Sequence, residues 1–490
     1  MGLTGQTGGL WMLLTLGALT ITTGLPVWAL LIGVSSGFTM LGLLTGSLDF
    51  NTLSALPLRL VGLLENDLLQ ALPLYVFIGI LLQRLSVADA LFAVLSRWAN
   101  PALAVLGVGA LIAPMNGSVA SSAMLLSRLL APRLEHLNVA RATALISIAA
   151  TIGVVVPPSL VLILLGDAMM RAHTEETNLP GFVNTALDNP NIINTQAVFN
   201  AALLPGLAVL LLWAGVAWWQ SHASVTDAAR VTETTTKPIC ETADKTPHQT
   251  SIALLSASVI LLLLTGVFTG KLFAVEAAAT GGLLLIIATL LTRALNRSQW
   301  RSVLNDTLQL SGALMALLVG ATVFSLIFRL FGTDRWLTAA LLSSPFSPLV
   351  TAAGVLLLVA LCAWVLDAFE MIFVVIPIVA PPLIAMLGDA QQSAVLLLLV
   401  LQLSFLIPPM GYAVMIARSQ SSTGWLPMRQ LLPALLPFVT MQLAVLVLVF
   451  AVPQAVHQLD SPATRTERAS DADIVRQMQD MSAPRDFERK

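Results

Sequence analysis

This sequence predicts an all-α polytopic membrane protein, built as an inverted repeat of two re-entrant hairpins and two Pro-Pro-broken helices. Three observations predict it. Only 10% of the 490 residues are charged while 57% are hydrophobic, and mean hydropathy is +0.87. Globular domains carry about 25% charged residues, so most of this chain cannot face water. The apolar runs last roughly 20 residues, enough to cross a bilayer as helix, where a β-barrel would alternate in segments of about ten. Finally, "VVVPPSL" and "FLIPPMGY" set Pro157-Pro158 and Pro408-Pro409 inside membrane-grade runs. A proline there costs about 3 kcal/mol or more and frees carbonyls that hydrocarbon cannot satisfy.

Taken in order, complete spans are predicted at 8–24, 26–48, 73–96, 141–166, 198–220, 252–270, 274–293, 306–332, 392–417 and 431–453. The opening run "MGLTGQTGGLWMLLTL" lacks the basic stretch of a cleaved signal peptide and reads as a retained first span. Residues 49–72 place Leu every three or four positions among polar residues, the pattern of an amphipathic helix lying on the membrane surface. Residues 101–131 carry "APMNGSVASS" at their centre, and 347–386 carry "VLDAFEMIF". About 13 residues at 1.5 Å rise reach some 20 Å, so each stretch is long enough to enter to mid-membrane and return. Both read as re-entrant hairpins.

The linker 221–250, rich in Thr and charge, divides the chain, and the tail 454–490 reads as polar and disordered. The resulting organisation is an N-terminal scaffold with its surface helix (1–100), then hairpin 1 and the first broken helix (101–166). Scaffold spans and the linker follow (167–345), then hairpin 2 and the second broken helix (346–417), and a last span (418–453). Arg97, Arg133 and Arg141 flank the first hairpin and "TRALNRSQWR" adds three more arginines, whereas loop 167–197 is mainly acidic. The positive-inside rule then opens hairpin 1 to the cytoplasm and hairpin 2 to the opposite side.

The two halves share a spacing. Asn116 precedes Pro157 by 41 residues and Asp367 precedes Pro408 by 41, so the units are offset by 251. Hairpins entering from opposite faces, each matched to a broken helix, are the signature of an inverted-repeat secondary transporter. A lone proline is most often a kink. Two pairs matched to polar-tipped hairpins argue instead for a site, in which carbonyls near Gly153 to Val156 and Phe405 to Ile407 serve a hard cation such as Na⁺. Half-helix N-termini would suit an anionic substrate.

Single residues are weighed the same way. Asp367 and Glu370 stand in an otherwise uncharged run, where a charge costs about 2.5–3.5 kcal/mol or more at the bilayer centre, so both are candidates for the ion or substrate path. Asn116, Ser118, Ser121 and Ser122 can donate and accept at the first tip, though for Ser121 and Ser122 close helix packing is the favoured reading. Gln402 and Ser404 precede the second break, and Gly411 follows it. Glu276 and Arg329 lie near span ends, where anchoring at the interface is the default. Net charge of −2 gives no basis for nucleic-acid binding, and Cys240, Cys362 and the five histidines show no zinc or disulfide pattern.

The runs "ENDLLQALPLYVFIGILLQR", "GALIAPMNGSVASSA", "ATIGVVVPPSLVLILLGD", "VLDAFEMIFVVIPIVAP" and "LQLSFLIPPMGYA" resemble, in order, the large permease subunit of tripartite ATP-independent periplasmic (TRAP) transporters. "LDAFE" and "LQLSFLIPPMGYA" look most like its mannitol/chloroaromatic-type branch. The resemblance covers residues 8 to 453. It implies an ion-transporter-superfamily elevator fold in a bacterial inner membrane, with Na⁺ as coupling ion and no organic cofactor. It also implies a soluble periplasmic binding protein that delivers a small organic solute, an organic acid or polyol, and a small four-span membrane subunit. Carried over by position, Asn116, Gly117 and Ser118 with Gly153 and Val156 would hold one Na⁺, and Asp367 with Phe405 and Ile407 another. A self-sufficient Na⁺- or H⁺-coupled carboxylate carrier is the alternative within the same class. An intramembrane enzyme or a channel is less favoured: the chain has neither H-E-x-x-H nor G-x-S-x-G, and no Walker A motif for an ATP-driven pump.

Overall fold

The computed structural model describes residues 7–459 except 66, 86, 117, 135–136, 157–158, 177–193, 232–257, 264, 268–270, 273, 364–365, 408–410 and 421–425. Gly117, both proline pairs, most of the linker and the tail beyond 459 therefore lie outside the described residues. Every described element is helical. α1 (Gly8–Thr23) ends on a left-handed Gly24 (φ 62°), and Pro26 caps α2 (Val27–Leu44), the usual punctuation between two helices. α3 (Ala55–Leu64) fills only part of the stretch expected to form an amphipathic surface helix, because α4 (Asp67–Arg84) starts within it. The span expected at 73–96 is two helices, with α5 (Val87–Trp98) turned 67° from α4. Asp89 of α5 pairs with Arg133 beyond hairpin 1 at 2.6 Å, and Trp98 at the end of α5 is 88% exposed.

Hairpin 1 is α6 (Pro101–Asn116) and α7 (Val119–Leu130), and the first broken helix is α8 (Val139–Val155) and α9 (Leu160–Glu176), bent by 42°. α10 (Thr195–Val231) outlasts the predicted span and enters the sequence read as linker. An apolar segment Ser258–Val267 leads to α11 (Ala274–Thr292). α12 (Arg297–Leu330) begins early, at a capping box in which Asn296 and Gln299 satisfy each other's backbone N–H groups. α13 (Thr333–Leu342) precedes hairpin 2, formed by α14 (Pro348–Cys362) and α15 (Ala368–Leu387). α16 (Ala390–Ser404) and α17 (Tyr412–Ser419) make the second broken helix, and α18 (Met428–Ala451) is the last span.

Packing sorts these helices into two bundles. α12 packs on α2, α4 and α3, and α4 on α11, with α1 and α13 against the same group. This is the frame. The second bundle gathers both hairpins and both broken helices, with α10 and α18 laid against α8, α9 and α16. α6 and α8 approach closely because glycines line the seam. A Cβ at Gly109 would lie 2.6 Å from the Ala149 carbonyl oxygen, and one at Gly153 would lie 2.5 Å from that of Ala113.

α18 serves as a ruler for the repeat. Near its start, the Ala434 carbonyl accepts from Gln220, whose own carbonyl accepts from Arg141 at the head of α8. Near its end, the Val449 and Phe450 carbonyls accept from Gln392 at the head of α16. The first halves of the two broken helices thus start at opposite ends of one span and run antiparallel. Asn138 caps α8 and Asp389 caps α16, again 251 residues apart. Midway, Gln402 donates to the Thr151 carbonyl at 3.3 Å, and these positions too differ by 251. Residues equivalent by a two-fold touch where its axis passes, so the inverted-repeat axis runs between Thr151 and Gln402.

Candidate functional site

At hairpin 1, Asn116 ends α6 and Ser118 begins α7 as its N-cap, with extended backbone (φ −119°, ψ 130°). Gly153 lies directly against the Ala113–Pro114 backbone of the same tip. Val156 leaves the helix at ψ 116°, which turns its carbonyl off the α8 axis. Ser118, Gly153 and Ser159, with Ala113, Pro114 and Ala150, line a cavity of about 10 Å³ for the centre of a water-sized body. That is room for one small occupant. Ser159 was missed from the sequence. It accepts from Leu162 N at 3.1 Å as the cap of α9 and donates to the Val154 carbonyl at 3.4 Å. The signal was present, a serine directly after the proline pair and ahead of an apolar run.

At hairpin 2, Asp367 caps α15 in a capping box with Glu370, whose Oε2 accepts from Asp367 N at 3.1 Å. The D-x-x-E spacing is legible in "DAFE". Asp367 Oδ1 is inaccessible and lacks a hydrogen-bond partner. Across the break, Phe405 O accepts from Ala413 N at 3.2 Å. A Cβ on Gly411 would lie 3.0 Å from both the Phe405 and Ile407 carbonyl oxygens, so glycine lets the chain pass close to both. Tyr412, at the start of α17, lies within electrostatic range of Asp367 and Glu370 and so places the second tip beside the second break. An unsatisfied carboxylate oxygen, backbone carbonyls freed at the breaks and a cavity with Ser118 and Ser159 in its lining are oxygen donors of the kind a hard cation takes, so the residues present fit Na⁺.

The other candidates are engaged elsewhere. Ser121 Oγ accepts from Gln83 of α4 at 2.7 Å, tying hairpin 1 to the frame. Gln402 is buried and accepts from Gln442 at 2.7 Å besides bonding Thr151, while Ser404 donates to Val400 O of its own helix at 2.7 Å. Ser122 is buried on α7.

A second feature was not read from the sequence. A cleft of about 430 Å³ opens between the bundles, walled by α3 and α12 on the frame side and by α9 and α15 on the other. Arg329, expected to anchor at the interface, instead makes an ion pair with Glu175 of α9 across this cleft, and Arg171 pairs with Asp167 at 2.7 Å. Arg59 completes the charged lining. Burial first, and then the Arg329 guanidinium, press Arg59 below the ordinary arginine range, with Glu175 opposing.

This arrangement of hairpins, breaks and seam agrees with what comparison with known proteins returns. The family model for the tripartite ATP-independent periplasmic transporter, DctM component, matches residues 14–455. The chain belongs to that family. The sialic acid TRAP transporter large permease protein SiaM of Vibrio cholerae is 24% identical over 446 residues, covering 88% of this chain and 93% of SiaM. The isethionate TRAP transporter permease protein DctMQ of Oleidesulfovibrio alaskensis is 20% identical, covering 89% of this chain and 64% of that longer protein. Among solved structures, the YdaH transporter of Alcanivorax borkumensis, described as having an unusual topology, aligns with TM-score 0.57 at 15% identity. That alignment covers 82% of this chain and 89% of YdaH and speaks to fold alone. As a DctM-family large permease, the chain is a multi-pass inner-membrane protein of a solute-uptake system.

Proposed function

We propose that this DctM-family permease couples Na⁺ entry to uptake of a small organic solute handed over by a periplasmic binding protein. The bundle of hairpins and broken helices slides, elevator-fashion, against the frame. The observation that carries the reading is the pair of antiparallel, tip-to-break junctions joined at the Thr151–Gln402 contact, one with a single-occupant cavity and the other with an unsatisfied Asp367 oxygen. Ser118 and the Gly153 and Val156 carbonyls would hold one Na⁺, with Asn116 and Gly117 at the same tip. Asp367 with the Phe405 and Ile407 carbonyls would hold another. Along the packing lines, the sliding unit would take α10 and α18 with it, leaving α1–α4 and α11–α13 as the frame. A small four-span subunit would brace that frame. Charged organic solutes are the first to try, since two relatives are named for sialic acid and isethionate.

The test is direct and needs no known solute. Protein purified gently from its native membrane should bring down a small membrane subunit in equal amount, and Na⁺, but not K⁺, should raise its melting temperature. A protein that purifies alone, is indifferent to Na⁺ and responds to a pH gradient would overturn the reading in favour of a self-sufficient H⁺-coupled carrier.

A further inference from the structure

We propose that Arg59 and Arg329 are the anchors for an acidic group on the transported solute, and that Glu175 is an internal stand-in that the solute displaces. The inference deepens the transport reading above and rests on it. The cleft between the bundles is lined by three guanidiniums and two carboxylates. Asp167 and Arg171 neutralise each other within α9, one turn apart. Glu175 reaches over the gap to Arg329, and Arg59, on α3, feels both without an ion pair to either. Asp334, outside the lining, bears on Glu175 from the frame side and loosens its hold further. The lining therefore carries one cation in excess, Arg59, which stands at the exposed rim of the cleft with no carboxylate paired to it among the described residues.

A guanidinium fork is shaped to take a carboxylate or sulfonate in two parallel hydrogen bonds. An acidic solute group that takes Arg329 and Arg59 together satisfies the excess charge and releases Glu175. Glu175 belongs to the bundle of hairpins and Arg329 to the frame, so the exchange also undoes a tie between the two bodies. The solute thereby has different affinities before and after the tie is broken, the condition for a ligand to shift a conformational equilibrium. The cleft floor is formed by Ile372 and Phe373, two and three residues past Glu370, so a solute anchored on the arginines rests on hairpin 2 beside its tip.

An anionic lipid headgroup offers the same oxygens, and the experiment separates the two sources. The full chain, with any copurifying subunit, is placed in phosphatidylcholine nanodiscs and its melting temperature followed against N-acetylneuraminate, isethionate, succinate and mannitol at millimolar concentration. At least one of the three anions should raise it while mannitol does not. Arg59→Gln and Arg329→Gln should each weaken that effect about tenfold or more, and Glu175→Gln should strengthen it. The exchanged pair Glu175→Arg with Arg329→Glu should melt near wild type yet lose the anion response. An exchanged pair that responds like wild type makes the ion pair a structural clasp and overturns the proposal. So does an anion response unchanged in Arg59→Gln, a response to mannitol alone, or no response to any of the anions. A shift produced by phosphatidylglycerol in the disc, but by no soluble anion, assigns the cleft to lipid and overturns it too. Na⁺ stabilisation measured in the same discs without solute reports on the transport reading separately, since none of the exchanged residues lies at either hairpin tip.

Discussion

Gly153 shows how far one missing methyl group can matter. Its Cα faces the Ala113 carbonyl so closely that a Cβ would sit 2.5 Å from the oxygen, against backbone that cannot swing aside. Gly153→Ala should therefore destabilise the protein by about 1–3 kcal/mol, as overpacking does, and should blunt stabilisation by Na⁺; a thermal melt with and without Na⁺ reads both. Asp367 is the complementary case. Its inaccessible Oδ1 has no partner, so Asp367→Asn should leave the fold intact while raising the Na⁺ concentration needed for uptake in proteoliposomes. Unchanged Na⁺ dependence would remove Asp367 from the ion path. The sequence made these positions legible because a carboxylate and a proline pair in hydrocarbon are conspicuous. Arg59, Glu175 and Arg329 were not legible, since a charge near a span end looks the same whether it snorkels to water or meets a partner brought from far along the chain.

At the scale of elements, the two broken helices are held in register by caps and by a buried amide chain. Asn138 and Asp389 each accept from a backbone N–H in the first turn of their helices. Asn138→Ala should cost about 0.5–2 kcal/mol, measured as a lower melting temperature. Gln402→Leu should cost about 1–2 kcal/mol, because it removes the buried Gln442 Nε2's short acceptor, leaving it the Leu399 carbonyl at 3.4 Å, and frees the Thr151 carbonyl. Sequence reading found both breaks and their common spacing. It did not foresee that hairpin 2 returns through a π-turn at Met371–Val375, where Pro377 denies the Phe373 carbonyl its ordinary partner four residues on. It also read 73–96 as one straight span, where α4 and α5 meet at 67°, because apolar content alone does not report a bend. The Thr151–Gln402 contact was within reach, being the 251 offset applied once more, but only an axis in space says which equivalent residues touch.

At the scale of the whole molecule, the polar contacts described between the frame and the bundle of hairpins include Gln83–Ser121 on one flank and Arg329–Glu175 on the other. In a chain with Cys240 and Cys362 replaced, Gln83→Cys with Ser121→Cys should be bridged by a short bifunctional thiosulfonate reagent, arresting uptake until reductant is added. Uptake that continues through the cross-link would mean the bundles do not part there. The division into bundles was only partly legible, since α10 and α18 carry the same apolar composition as the frame helices and declare their allegiance only by packing. One consequence of the 251 offset remains. Ser121, hydrogen-bonded to the frame, is the counterpart of Ile372, which lines the open cleft. A symmetric plan has been caught leaning to one side. Under the proposed sliding motion, each half would be a mould for the posture its twin takes after the lean reverses, so that one chain would hold instructions for two resting shapes.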